Sequence, residues 1–212
     1  MTDFFLNNYS AIFQKAAEHL FISAVALFLG VIIAVPLGIL LTKSKSISKV
    51  VMTIASILQT IPSFALLALM IPIFGIGKLP AIMALFIYSL LPILRNTYLG
   101  IEGVDPNILD AAKGMGMTTQ QRLMKVRIPM AMPVIMSGIR LSAVYVLAWT
   151  TLASYIGAGG LGDFIFDGLQ NYIPPMIIWG TIPVTALALL VDFLLGKVES
   201  NLSPYKVSGG AK

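Results

Sequence analysis

Apolar residues in this chain do not alternate with polar ones. They run in five long blocks, at about 20–41, 50–74, 80–100, 129–154 and 176–196, separated by polar intervals. Each block reaches the roughly 20 residues that a helix needs to cross a bilayer core, so the pattern predicts five membrane-spanning helices. Ahead of the first block, residues 1–19 set Phe5, Tyr9, Ile12, Phe13 and Ala16 near helical spacing, as in an amphipathic helix lying at an interface. After the last, 197–212 reads as a polar tail that frays. The longest polar interval, 102–128, carries helix punctuation at both ends. Asp105 before Pro106 is an N-cap with proline at the first helical position, Ile108, Leu109 and Ala112 then share one face, and Gly114 and Gly116 stop the helix. Thr118 with Gln121 three residues on is a capping box, opening a second short helix that carries Arg122, Lys125 and Arg127 up to Ile128 and Pro129. The interval is therefore expected to be a helix, a glycine hinge and a helix.

Composition agrees with the pattern. Of 212 residues, 58% are hydrophobic and 11% charged, and the mean hydropathy is +0.91. Soluble domains are nearer about 45–50% apolar, so the expectation is an all-α integral membrane protein. The block at 20–41 is too long for a signal peptide, whose apolar region runs roughly 7–15 residues, and it lacks a basic cluster ahead of it. A net charge of +5 does not point to nucleic acid, because the basic residues are scattered over short loops with no basic, aromatic-interleaved face. They report topology. Lys43, Lys45, Lys49, Lys113, Arg122, Lys125, Arg127, Lys197, Lys206 and Lys212 fall on one side of a five-span chain, against Lys15 and Lys78 on the other. The positive-inside rule then puts the N-terminus outside, the C-terminus in the cytoplasm and 102–128 on the cytoplasmic side.

Within the blocks, chemistry is sparse. Gln59, Thr60, Pro62 and Ser63 form a polar cluster near the centre of the second; it either faces a translocation path or is a proline kink whose hydroxyls bond back along the helix. Arg95 is close enough to the end of the third block to snorkel to the interface. Arg140 lies about 16 Å along the helix from Pro129, deep enough to need an interior partner, and Asp192 is the candidate. His19, the only histidine, has no companion ligand or nucleophile nearby and reads as interfacial. There are no cysteines, and no metal site or catalytic set is expected. The stretch from Ile156 to Pro175 is glycine-rich but partly apolar, a surface or re-entrant segment; its Gly157-Ala-Gly-Gly-Leu-Gly162 lacks the Gly-Lys-Ser/Thr ending of a phosphate loop.

Asp110-Ala111-Ala112, then Gly116, then Val126, Ile128 and Pro129 resemble the E-A-A, G, I-x-L-P pattern of the cytoplasmic coupling loop in permease subunits of binding-protein-dependent ABC importers, with Asp110 for glutamate and Val126 for isoleucine. The stretches beginning at Gln59, Phe74, Tyr88 and Ile156 look like the osmoprotectant branch, the permeases for glycine betaine, carnitine and choline; the similarity runs from about Leu20 to Tyr205. What the resemblance implies is a five-helix type I importer permease core in the bacterial inner membrane. It also implies pairing with a second permease copy or paralogue, an extracellular substrate-binding protein and cytoplasmic ABC ATPase subunits. Asp110, Ala111, Ala112, Lys113, Gly116 and Pro129 would couple it to the ATPase, and Gly116 would allow close approach or a positive φ. No cofactor is implied, and with no Walker A sequence in the chain, ATP hydrolysis is expected on a separate subunit.

Three rivals remain at this stage. A methionine or other amino-acid importer shares the mechanism and differs in cargo, and the Ile156 segment is similar in methionine permeases. An intramembrane enzyme would need a paired catalytic constellation that His19 does not supply. A structural membrane protein leaves the polar centre of the second block and the capped loop without a role.

Overall fold

Nothing between Thr2 and Leu41 breaks a helix, and the chain there forms one: α1 (Thr2–Leu41), with Pro36 accommodated inside it. The computed structural model describes residues 2–202, and among them there is no strand. After α1 come α2 (Lys45–Thr60), α3 (Ser63–Phe74), α4 (Lys78–Glu102), α5 (Pro106–Gly114), α6 (Thr119–Arg122), α7 (Ile128–Ala153), α8 (Gly162–Gln170) and α9 (Pro174–Leu202). A π-helical turn, Leu123–Arg127, joins α6 to α7 without a break. Four helical stretches are singly long and apolar enough to cross a membrane, and α2 with α3 makes a fifth crossing if the two act together.

Two small-residue contacts set the register of the core. A Cβ on Gly30 would lie 2.0 Å from Ser89 Oγ, and one on Gly38 would lie 2.8 Å from Thr97 Cβ, so α1 and α4 touch backbone to side chain at two points eight residues apart. Small residues at such spacing let membrane helices approach closely, where dispersion and not water exclusion holds them. Both pairs increase together along the chain, so α1 and α4 run parallel. The segment between them must therefore return across the layer, and α2 plus α3 is that return. On the other side of α4, α7 runs antiparallel: the Ser142 hydroxyl donates to the Ser89 carbonyl at 3.1 Å, and a Cβ on Gly138 would lie 2.9 Å from the Pro92 carbonyl oxygen. Ile22, Ala26, Leu85, Tyr88 and Val146 fill the main core between these helices. By contrast α9 is nearly uncovered, with 6% of its most apolar window buried.

The structure corrects three expectations and gives His19 its surroundings. Residues 2–19 are not a separate helix: they continue into α1, and Phe4 and Phe5 pack on Phe164 of α8 and Trp179 of α9. The second apolar block is not one straight helix, because α2 and α3 meet at 97° across Ile61 and Pro62; proline lacks the N–H a continuing helix requires, and the residue before it is forced out of the α region. His19 is enclosed by protein. It is fully buried, with Nε2 donating to the Leu147 carbonyl at 2.9 Å. Finally Lys197 to Leu202 belong to α9 and do not fray; the rest of the expected tail, with Lys206 and Lys212, lies outside the described residues.

Around His19 the glycine-rich segment also acquires a place. Glu18 accepts from Lys78 at 3.1 Å, from Lys15 at 3.2 Å and from the Gly160 N–H at 3.3 Å, while Lys15 also reaches Asp163 at 2.6 Å. This network ties α1, the start of α4 and the entry to α8 together at one end of the molecule.

Candidate coupling loop and groove

At the opposite end, the interval between α4 and α7 is built as a rigid projection. The Asp105 side chain accepts from the Asn107 N–H at 2.8 Å and Pro106 opens α5. The helix closes in a Schellman arrangement, with the Met117 N–H on the Ala112 carbonyl at 3.1 Å and the Gly116 N–H on that of Lys113 at 2.9 Å. That motif requires a left-handed residue, and Gly116 supplies it at φ +80°. Thr118 and Gln121 then exchange backbone and side-chain hydrogen bonds as a capping box. The second short helix is not independent: α6 passes through the π turn into α7, so the projection is the first turns of a long helix. An ion pair between Arg127 and Glu102 at 3.9 Å closes the base.

On this projection Asp110, Ala111, Lys113 and Gly116 are exposed and Ala112 is buried, at 2%. The exposed side of α5 is therefore that of Asp110, Ala111 and Lys113, while Ala112 seats that helix on its own chain. Pro129 stands exposed in the first turn of α7. Beside α6, Thr42 and Lys43 of the α1–α2 turn share a cavity of ≈ 180 Å³ with Arg122 and Arg127, which brings basic residues from separate intervals to this one end.

The polar centre of the second block splits. Thr60 lines an open groove of ≈ 490 Å³ between α2 and α4, with Lys49, Thr53 and Ser56 on its own side and Arg95 facing it; Gln59, Pro62 and Ser63 do not line it. Arg95 is exposed at the edge of this groove. The hydroxyls of Thr53, Ser56 and Thr60 donate back to carbonyls of α2, satisfying their protons and leaving lone pairs toward the opening. At the break itself the Ile61 carbonyl accepts from the Tyr88 hydroxyl of α4.

Arg140 and Asp192 meet. The guanidinium donates to both carboxylate oxygens, at 2.6 and 2.7 Å, and also to Glu199 at 3.2 Å. A fork against one carboxylate is the geometry that arginine favours. Glu199 escaped the sequence reading although it lies two turns beyond Asp192 on the same face of α9. Another omission is a row of rings: Trp149 packs against Tyr88 at 4.3 Å and stacks with Tyr145 at 5.6 Å. The signal available for it was the one-turn spacing of Tyr145 and Trp149.

A family model described as "binding-protein-dependent transport system inner membrane component" matches residues 26–204. The chain belongs to that family. It is 58% identical over 201 residues to the carnitine transport permease protein OpuCB of Listeria monocytogenes, covering 95% of this chain and 92% of that protein. To the glycine betaine/carnitine/choline transport system permease protein OpuCB of Bacillus subtilis (strain 168) it is 50% identical over 209 residues, 99% of this chain and 96% of the other. Among solved structures, the inward-facing MetNI methionine ABC transporter superposes with a TM-score of 0.80 at 23% identity, over 90% of this chain and 95% of that one. At that identity the likeness speaks for the fold alone. The chain is thus an all-helical, multi-pass inner-membrane permease component of an ABC importer, a transport subunit and not an enzyme. It works with a substrate-binding protein and with an ATPase that is a separate subunit.

Proposed function

We propose that this permease forms, with a second copy or a paralogue, the path through which an ATP-driven importer carries quaternary ammonium compatible solutes such as carnitine, glycine betaine and choline. The observation that carries the cargo is its identity of 50–58%, over nearly the whole length, to permeases named for those solutes. A methionine cargo has only the fold likeness behind it.

In this reading the chain crosses the membrane five times, α2 and α3 making one broken crossing, with the N-terminus outside and α5 in the cytoplasm. The parallel packing of α1 and α4 supports the count, and the gathering of Lys43, Arg122 and Arg127 at the α5 end supports the orientation. The exposed Asp110, Ala111 and Lys113 face of α5 docks in a cleft of the ATPase, Gly116 holds the turn behind it, and Pro129 starts the helix that receives the push. Thr60 and the groove of α2 and α4 line the path, while Gln59, Pro62 and Ser63 shape the break above it. Arg140, Asp192 and Glu199 lock α9 to α7 as an ion cluster within the membrane layer.

The test is reconstitution of the permease with its ATPase and binding protein in proteoliposomes, followed by ATP-dependent uptake of labelled carnitine, choline, glycine betaine and methionine. Uptake of any of the first three and not of methionine is expected. Uptake of methionine alone would replace the cargo.

A further inference from the structure

The row of rings at the helix break lies away from the α5 projection, and its position is unusual for aromatic residues in a membrane protein. Tyrosine and tryptophan collect at the two interfaces. Tyr88, however, lies roughly 15 Å from Lys78 and roughly 21 Å from Glu102 along α4 at about 1.5 Å per residue, close to mid-height. It is 4% exposed, and its hydroxyl is consumed by the Ile61 carbonyl. It therefore fixes the broken crossing and presents its ring to Trp149. Trp149 in turn stacks on Tyr145 with the planes 26° apart, and Tyr145 is 40% exposed.

Two arguments put that exposed ring on the path and not on lipid. An interrupted helix leaves backbone groups unpaired and is tolerated at membrane depth where it meets protein or a water-filled cavity; the ring row is bonded to that interruption. A phenol at this depth facing lipid would also leave its hydroxyl without a partner. The groups lining the neighbouring groove offer no negative charge: its ionised side chains are Lys49 and Arg95. The carboxylates of the opening beside Leu141 and Val144 on α7, Asp192 and Glu199, are held by Arg140, so the attraction left for a cation at the rings is their negative face, which acts on a quaternary ammonium group that cannot donate hydrogen bonds.

We propose that Tyr145 and Trp149, braced by Tyr88, form a transient cation–π resting site for the trimethylammonium head of the solute within the membrane path. This rests on the cargo reading above, since carnitine, choline and glycine betaine share that head.

The experiment uses the assembled transporter without its binding protein, titrated with choline and with 3,3-dimethylbutan-1-ol, which has the same shape and no charge. Binding is read from tryptophan emission, and the Trp149→Phe protein isolates the signal of Trp149. Choline is expected to change the Trp149 signal and to bind roughly 2- to 30-fold more tightly than the neutral analogue, the range that a cation–π contact supports. Tyr145→Leu should weaken choline binding over the same range, and Tyr145→Phe should retain it. Tyr145 is 40% exposed, and co-purification of the ATPase with each variant confirms that it is folded and assembled. Equal binding of the two compounds, or choline binding untouched by Tyr145→Leu, overturns the site. Uptake in proteoliposomes separates the levels: if the parent imports carnitine or choline while Tyr145→Leu binds and imports as the parent does, the site fails and the cargo stands. If the parent imports no trimethylammonium solute, both fall.

Discussion

Replacing Gly116 with valine tests whether the proposed coupling projection has to hold one shape. A Cβ at this position would meet nothing within 4 Å, so crowding is not the mechanism; the backbone is. Gly116 sits at φ +80°, and an L-residue forced into the left-handed region loses roughly 1–2 kcal/mol, with β-branched residues worst. If the free loop relaxes into another geometry and must return to the Schellman turn to dock, that loss lowers apparent affinity for the ATPase about 5- to 30-fold. Asparagine tolerates the left-handed region, so Gly116→Asn should recover most of the loss. Gly114 provides the control two residues away: it has ordinary φ and open surroundings, and Gly114→Ala should be neutral or stabilising by up to about 1 kcal/mol. The assay is co-purification of the ATPase together with ATP hydrolysis stimulated by loaded binding protein. A Gly116→Val permease that retains its ATPase within twofold of the parent and hydrolyses at the parental rate would refute the reasoning. Ala112→Leu is less diagnostic, because its burial means that the substitution disturbs the seat of α5 as well as any interface.

Gly38→Ala should lower thermal stability by about 1–3 kcal/mol through overpacking, since its Cβ would press on Thr97 Cβ at 2.8 Å and the Leu94 carbonyl at 3.2 Å; a melting temperature equal to the parent's would contradict the α1–α4 seam. Arg140→Ala should destabilise more than Asp192→Asn, because it leaves Asp192 and Glu199 without their shared cation, and the double substitution should melt above Arg140→Ala alone; strictly additive losses would mean the residues do not act as a pair. For topology, a reporter active only in the cytoplasm should work when fused at Lys212 or beside Asp110 and fail near Met1 or Asp163; activity at Asp163 would break the five-crossing arrangement.

Much of this molecule was legible because hydropathy and capping are local. Asp105-Pro106 and Thr118 with Gln121 cap where their spacing said they would, since a cap depends on a few adjacent backbone groups. What the sequence hid were outcomes decided between distant segments. The shared face of Ile108, Leu109 and Ala112 was legible in the spacing, but that this face seats Ala112 on the chain's own body is decided by the fold. The Pro62 cluster left a kink and a path both open, and in the structure the hydroxyls do bond back along α2 while Thr60 also lines the groove. The burial of His19 was hidden because its partner, the Leu147 carbonyl, is 128 positions away. The length of α1 was underread because polarity at 1–19 suggested a surface, whereas α8 and α9 provide a packing partner there.

The place of α5 between α4 and α7 decides what a push on it can move. Those two helices are joined by the Ser142 to Ser89 hydrogen bond and by close approach at Gly138, and α1 is seated on α4 at Gly30 and Gly38. Cores packed this tightly shift as units and do not deform continuously, so α1, α4 and α7 should travel together when α5 is displaced. The α2–α3 crossing is attached differently. It bends at Ile61, whose carbonyl accepts from the Tyr88 hydroxyl; α3 seats Leu66 and Leu67 in the main core, while α2 borders an open groove. A rigid three-helix body beside a hinged crossing is a pair of elements that can rock or shear against a second permease and change which end of the groove is open. On this argument Tyr88 sits at the junction of the two, holding the hinge with its hydroxyl and bracing the proposed cargo site with its ring.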